Sequence, residues 1–475
     1  MKREGKSLVF SPTDIVRYVA SPFASWMDRY ALESPGALTP DEETEDQKLI
    51  AKTGYEHEKA ELVKFKGAFP ALVEIADNKP EKASPLTLAA IQAKAPIIYQ
   101  AYLRTGRFAG YSDFLILNPG SGYEVWDTKL AVAPKPYYAI QLCCYSEMLA
   151  EITGTKMPSR FGIILGNGEK VEFIVEEFFD YYLRIKGAFL AMQDGFTGKL
   201  SDRPEPRPRV DHGRWNSYAQ KYFDDCDHLV NVAGITVGQI KKLSAAGITT
   251  MAKLAESSKV AVPRLAQESL QKLVDQSRLQ CLTLAKQKEN PDSPPAFELL
   301  PHVGLNGESL GLAQLPPSSA ADVFFDMEGY PLVPGGLEYL FGACGSVSLK
   351  PFDFFDWWAH DRKEEKRAFE DFIDWVFAKW KKAPELHIYH YAAYEVSALR
   401  RLSTRHDTRQ DEVDQLLRND VFVDLYQIVR HGLRVGAESY SIKVVERLYR
   451  PKRKTEVATA VDSIVQYARW LGSKE

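Results

Sequence analysis

Hydrophobic and polar positions follow two different periods along this chain, and the switches between them outline its elements. Across residues 48–67 (KLIAKTGYEHEKAELVKFKG) apolar side chains recur every three to four positions, the spacing of an amphipathic helix. Residues 7–35 (opening SPTDIVRYVASPFASWMDRYALE) show the same period, with Ser11 or Thr13 placed to cap the first turn. Residues 36–48 are acidic and loop-like, and 87–99 predict a further helix. Near Gly110 the pattern turns strand-like. Two apolar runs, one holding Asp113 and one ending in Asp127-Thr128-Lys129, predict a hairpin that turns at Asn118-Pro119-Gly120. A helix over 136–153 follows. Strands at 160–165 and 170–176, joined through Asn167-Gly168, and a helix over 179–193 complete a first α/β region.

Residues 201–215 (SDRPEPRPRVDHGRW) are rich in proline and arginine and mark a junction. Residues 228–256 hold two helix-like pieces separated by Ala246-Gly247-Ile248, with another turn at Ala233-Gly234-Ile235. Residues 287–320 read as a linker rich in Pro, Ser and Asn. From residue 321 strand-like runs return: ADVFFDMEGYPL, GLEYLFGACGSV and PFDFFDWWAH. An amphipathic helix over 364–382 carries Phe369, Phe372, Ile373, Val376, Phe377 and Trp380 on one face. A strand at 386–391, a helix at 393–403 and elements at 421–432 and 441–449 end the readable pattern. The expected organisation is 1–200, a connector 201–228, a small helical module 229–283, a linker 284–320 and a second α/β domain 321–475.

Composition changes this picture little. At 475 residues, 45% hydrophobic and 26% charged, the protein has material for several packed domains, which excludes wholesale disorder. A net charge of −4 excludes a nucleic-acid coat protein but not an enzyme with local basic patches. Two such patches exist: residues 199–221 hold six Lys/Arg against three acids, and 434–454 hold seven against two. No apolar run reaches the length of a membrane span, and the basic start MKREGKSLVFSPTD lacks the apolar stretch of a secretory leader. The five cysteines are scattered without any CxxC pair, so a cytoplasmic protein with free thiols is expected and a cysteine-held metal is disfavoured.

The chemistry concentrates in residues 110–145. Asp113 and Asp127 fall on neighbouring strands with 13 residues between them, and Lys129 follows two positions later. Carboxylates on adjacent strand ends suit a divalent ion that activates water and offsets phosphate charge, and a lysine can stabilise developing negative charge. Glu124 is a further acidic neighbour. Gln141 and Tyr145, four apart, share one helix face. With His57 upstream in GYEHE, these parts resemble, in order, the RecB-type branch of the PD-(D/E)XK nucleases. The resemblance implies a restriction-endonuclease-like core and Mg²⁺ or Mn²⁺ held by Asp113, Asp127 and His57. It assigns Lys129 to assist attack, and Gln141 and Tyr145 to orient the core and touch phosphate. Many such nucleases carry four cysteines around an iron–sulfur cluster. Ser21 stands at one of those positions, and of the group near 211–226 only Cys226 remains, so no cluster is expected.

Residues 232–255 resemble a helix-hairpin-helix module, implying sequence-independent phosphate binding through Gly234 and Gly247, with charge from Lys241 and Lys242. FFDMEG places Asp326 and Glu328 on one strand face and resembles the first motif of DEDD-type exonucleases of the RNase H-like fold. The resemblance assigns Glu395, in HIYHYAAYE, to the next ligand position and gives Asp424 a structural place. The last acidic helix of such sites has no match. Asp462 stands one helix too early, so this second site is expected to be incomplete and the domain truncated or shortened at its C-terminus. The whole is similar to bacterial RecB-like nucleases that usually continue into a superfamily I helicase, and this implies an α/β multidomain nuclease acting on DNA ends or single strands in repair, recombination or defence. A helicase partner, and no membrane, go with that expectation. A nucleic-acid-binding module without turnover and an RNA-processing nuclease are the alternatives.

Overall fold

The computed structural model describes residues 1–75, 79–258, 260–345, 353–451 and 460–473. The protein divides into two units, Met1–Tyr222 and Phe223–Glu475.

The first unit begins with the hairpin β1 (Lys2–Glu4) and β2 (Ser7–Val9), followed by helices α1 (Pro12–Ala20) and α2 (Pro22–Glu33). The break between these helices falls at Ser21-Pro22, where proline opens a new helix and Ser21 Oγ accepts from Ala24 N. Helix α3 (Glu45–Ala68), β3 (Val73–Glu74), α4 (Pro80–Gln92), β4 (Ile97–Thr105), β5 (Phe108–Asn118), β6 (Gly122–Lys129), α5 (Pro136–Thr153), β7 (Arg160–Leu165), β8 (Lys170–Ile174) and α6 (Glu176–Asp194) follow. The six-stranded sheet runs β3-β4-β5-β6-β7-β8, antiparallel from β4 to β6 and parallel between β6 and β7. One sheet face packs Leu115, Val125 and Ile163 with residues of α5 such as Leu142 and Tyr145. The other packs Phe114 and Trp126 against Leu62 and Phe65 of α3.

Two expectations change here. The helix expected over 87–99 is α4 followed by β4, because Ile97-Ile98-Tyr99 joins the β5 ladder. Residues 201–222 are no bare connector. Trp215 is fully buried and donates through Nε1 to Asp28 (2.9 Å), and His212 meets Ser21 (2.7 Å), so this stretch packs into the first unit.

Helix α7 (Asn216–Asp225) is followed by a cluster of short helices, α8 (Val237–Ala245), α9 (Met251–Ala255) and the long α10 (Gln267–Glu289), packed around Leu229, Leu243, Leu254 and Leu270. Residues 284–320, expected as linker, contain the end of α10 and the strand β9 (Phe297–Leu299). A three-residue strand is too short to show a period, and its ladder partner lies far along the sequence. The second sheet uses β10 (Val323–Tyr330), β11 (Leu337–Gly345), β12 (Phe354–Trp358), β13 (Ile388–His390) and β14 (Phe422–Asp424), in the order β12-β11-β10-β13-β14. The ladders to β13 and β14 are parallel, and those between β10, β11 and β12 antiparallel. Helices α11 (Arg362–Lys382), α12 (Tyr394–His406) and α13 (Gln410–Arg418) contribute Phe369, Phe372, Leu399 and Leu416 to its core. There follow α14 (Leu425–Gly432), β15 (Leu433–Val435), which pairs antiparallel with β9, α15 (Ile442–Val445) and α16 (Ala460–Gly472). No described helix is long and apolar enough to cross a membrane.

Candidate active sites

In the first unit, alternation along β5 and β6 sends Asp113 and Asp127 to the same sheet face, one step beyond the paired Phe114 and Trp126. The two carboxyl groups are close neighbours. Enclosure by protein, the charge of Asp127 and then that of Glu58 push Asp113 well above the usual carboxylate range. Thr128 donates to Asp113 through both its backbone N and its Oγ1, each at 2.8 Å, which fixes the carboxyl but only partly offsets that rise. Lys129 forms an ion pair with Asp127 and lies 5.5 Å from the Tyr138 ring centroid at the start of α5. Burial opposes its charge, but Asp127 and Asp113 outweigh burial and hold the ammonium firmly protonated.

Glu58 is a site residue that pattern reading missed, although it stands beside His57 in the same GYEHE string. Its carboxylate accepts from Tyr99 OH and Gln100 Nε2, both at 2.6 Å. Gln100 makes this possible by leaving the β4 ladder. Its φ is +54°, a left-handed conformation that costs a non-glycine residue about 1–3 kcal/mol, and it stands where the ladder skips Asp113.

The remaining expected residues divide. Tyr145 is buried, and its OH donates to Tyr111 O (2.7 Å) against Gly110, where a Cβ would come within 2.7 Å of that hydroxyl. Its proton is thus engaged by β5, and Tyr145 positions the strand. Gln141 is half-buried one turn earlier on α5. His57 Nε2 is buried without a hydrogen-bond partner, but the structure does not gather His57 with both aspartates into one ligand cluster. Helix α3 packs on the Phe114 and Trp126 face, opposite to the aspartates. Glu124 also points to that opposite face, three positions from Asp127, and is held by Asn118 Nδ2 (3.1 Å).

In the second unit, Asp326 and Glu328 line a cavity of about 750 Å³ together with Glu395, Tyr394, Lys443 and Ile464. Asp326 opens into this cavity. Protein enclosure, then Glu395, then Glu328 raise its pKa to about 6. Glu395, at the first turn of α12, is buried with Oε2 unpartnered by any hydrogen bond, and His390 Nδ1 stands 3.4 Å away. Glu328 is raised by burial and eased by a hydrogen bond from Ser463 and by Lys443. The strand bulges between Glu328 and Gly329. Gly329 is required there, because a Cβ would lie 2.3 Å from Tyr394 OH, which itself donates to Glu338 Oε2 (2.8 Å). Asp424 caps α14 through Tyr426 N (2.9 Å) and holds the Ala392 N–H (2.9 Å), a structural task as expected. Helix α16 reaches this centre: Ser463 Oγ lies 2.6 Å from Tyr339 OH, and Ile464 lines the cavity. The helix therefore brings Ser463 and Ile464 to this centre, and Asp462 is not among the described residues that line the cavity.

Gly234 and Gly247 adopt φ of +74° and +81°, the turn conformations that glycine allows, ahead of α8 and α9. Lys241 is exposed, whereas Lys242 Nζ donates to Arg264 O (2.7 Å). Arg434, from the second basic patch, is committed to Asp275 (3.0 Å) and Glu298, while residues 452–454 of that patch lie outside the described residues.

Among the described residues no three His, Cys, Asp or Glu side chains converge into a ready-made metal cage. The donor sets nonetheless fit a hard divalent cation of the magnesium type, which keeps several waters and binds through one or two carboxylates plus substrate phosphates. The Glu395 oxygen without a hydrogen-bond partner, and the enclosure and neighbouring negative charge that raise Asp113 and Asp326, are what such an ion would relieve.

The central strand β10 of this mixed α/β sheet carries Asp326 and Glu328 into an open cavity, where carboxylates could hold a divalent cation. Consistent with this, residues 323–475 match the family model of the RNase H superfamily. The second unit therefore contains an RNase H-like domain of nuclease type, and nucleic acid is the ligand such a domain implies. No curated protein matches the sequence.

Proposed function

We propose that the protein is a divalent-metal-dependent nuclease in which a PD-(D/E)XK centre of RecB type, in the first unit, carries the main hydrolytic activity on DNA. The observation that supports this most is the cross-strand pair of Asp113 and Asp127 with Lys129 ion-paired to Asp127. Asp113 and Asp127 would hold Mg²⁺ or Mn²⁺, and Glu58, from α3, adds negative charge nearby. When bound, the ion supplies charge neutralisation at phosphate and an acidified water. Lys129, beside Asp127, would present its ammonium to a phosphate oxygen that gains charge. Thr128 ties β6 to β5 through Asp113, and Tyr145 ties α5 to β5. His57, as a further ligand, requires movement of α3.

In the second unit Asp326, Glu328 and Glu395 would form a second metal-dependent centre, and the turns at Gly234 and Gly247 with Lys241 a helix-hairpin-helix contact to phosphates. A second reading, in which this unit binds nucleic acid without turnover, is favoured by one observation: α16 hydrogen-bonds Glu328 through Ser463, a hydroxyl rather than an acid. Cleavage of end-labelled single-stranded and duplex DNA in Mg²⁺ or Mn²⁺, comparing wild type with Asp127→Asn and Asp326→Asn, tests both. Loss of cutting with Asp127→Asn alone supports the first centre as the hydrolytic one. Unchanged cutting in that variant sinks the assignment. A matched RNA, or competition by RNA, separates DNA from RNA as substrate.

A further inference from the structure

Beside the acidic cavity of the second unit lies another, of about 590 Å³, that shares Glu328 with it and is otherwise lined by Leu340, two polar side chains and aromatic rings. Tyr339 and Tyr467 stack at 3.8 Å and 8°, and Trp470 continues from Tyr467 at 5.7 Å and 25°. His360 packs on Trp470 at 4.4 Å and 46°, and Trp358 follows 6.2 Å from His360 at 34°. The two indoles stay open to solvent, Trp358 at 51% and Trp470 at 39% exposure. Large exposed rings around a cavity of ligand size mark a binding site for a flat, apolar-faced group. Among the described residues no lysine or arginine lines it, and its lining does not favour a phosphate. A neutral ring with polar edges suits it, and the Ser463 hydroxyl and Gln466 amide supply edge hydrogen bonds.

We propose that this aromatic cavity binds an unpaired nucleobase of the same single strand whose phosphate approaches Asp326, Glu328 and Glu395. The inference rests on the reading of that acidic cavity as a phosphodiester site. Glu328 belongs to both cavities, so phosphate and base sites are adjacent, as they are within one strand. Stacking accepts any base and carries no fixed charge, which lets a strand dock beside an acidic centre whose described lining includes Lys443 and, paired with Glu338, Arg401.

The test uses the full-length protein with Ca²⁺ in place of Mg²⁺. Single-stranded DNA and RNA oligonucleotides carry 2-aminopurine at either the 3′ or the 5′ end, and a gel confirms that they stay intact. Wild type is expected to quench the fluorophore at one end. Trp358→Ala, whose indole is half exposed and outside the core, should lose the quenching and weaken binding about tenfold, the scale of a lost base stack. An oligonucleotide abasic at that end should bind wild type about tenfold more weakly and be indifferent to the substitution. Gln466→Ala, an exposed change that leaves the rings in place, should weaken binding of the intact base only. Absence of binding, quenching that survives Trp358→Ala, or equal affinity for the abasic strand overturns the proposal. Cleavage that fails while quenching behaves as expected overturns the nuclease reading and leaves the base site standing.

Discussion

The two acidic centres solve the same electrostatic problem in different ways. In the first unit the carboxylates face each other across an antiparallel strand pair, and the strand that supplies Asp127 also supplies Lys129, so the cluster carries its own countercharge. In the second, Asp326 and Glu328 lie on one strand, Glu395 joins from α12 with His390 3.4 Å away, and among the described residues no Lys or Arg forms an ion pair with any of the three. Close like charges without a partner are costly. The first centre thus stays compensated when metal-free, whereas the second depends on an external cation. Glu338 and Glu365, next to the second cavity, show what compensation looks like nearby. Arg401 reaches Glu338, and Arg362, Arg405 and His406 surround Glu365.

Several substitutions probe this contrast. The largest effect should come from Asp127→Asn. It removes a proposed ligand and frees Lys129 from its partner, and cleavage in Mg²⁺ should fall by at least about a hundredfold, the several kcal/mol that a bound ion contributes. Asp326→Asn should leave the bulk of that activity in place if the first centre dominates. Equal losses from both would erase the distinction between the centres.

Next is Glu365→Ala, predicted to destabilise the second unit by about 2–3 kcal/mol because it removes the buried carboxylate shared by the part-exposed Arg362 and Arg405 and the buried His406. Chemical denaturation followed by tryptophan fluorescence reads this directly. Burial alone would raise Glu365, but the Glu338 N–H, His406 and Arg362 prevail and depress it. A depressed carboxylate contributes stability that is present above its unfolded pKa and is lost as pH falls through the folded one. Acid should therefore weaken wild type more than Glu365→Ala, starting below about pH 4.5. An unchanged midpoint in the variant would show that the network carries no stability.

A smaller effect is expected at Ser21 and His212, whose buried side chains meet at 2.7 Å although 191 residues apart. His212→Ala should cost about 1–3 kcal/mol by leaving Ser21 unsatisfied, with thermal unfolding of the first unit as the readout. The same pair shows what the sequence can reveal. Ser21 and residues 211–226 stand out only through a resemblance to cysteine-bearing nucleases, and only the fold brings Ser21 and His212 into contact. Short-range patterns were legible: the hairpin through Asn118, the strand pair through Gly168, the helix over 362–382 and the acids of FFDMEG all stand where periodicity puts them. Long-range partnerships were not. Glu58 becomes a site residue only because Gln100 turns out of the β4 ladder, and β9 is a strand only because β15 returns to it. Helix α16 joins the second centre through a Tyr467 ring stacked on Tyr339, a contact with no local signature.

The smallest effect tests the uncompensated centre by pH. Asp326 is raised to about 6, by enclosure and by the negative charges of Glu395 and Glu328. A carboxyl with a raised folded pKa binds its proton more tightly when folded, so its contribution to stability is greatest at low pH and falls as pH rises from its unfolded value, about 4, through 6. Solvent in the cavity screens part of this, because Asp326 opens into it. In chelator, therefore, the melting temperature of the second unit should decline modestly between pH 4 and 6, and Asp326→Asn should flatten that decline. Adding Mn²⁺ at pH 7 should raise the melting temperature of wild type and have less effect on Asp326→Asn. The opposite pH trend, or equal Mn²⁺ stabilisation of both proteins, would mean that the charges at Asp326, Glu328 and Glu395 are balanced within the protein, and the contrast between the two centres would not hold.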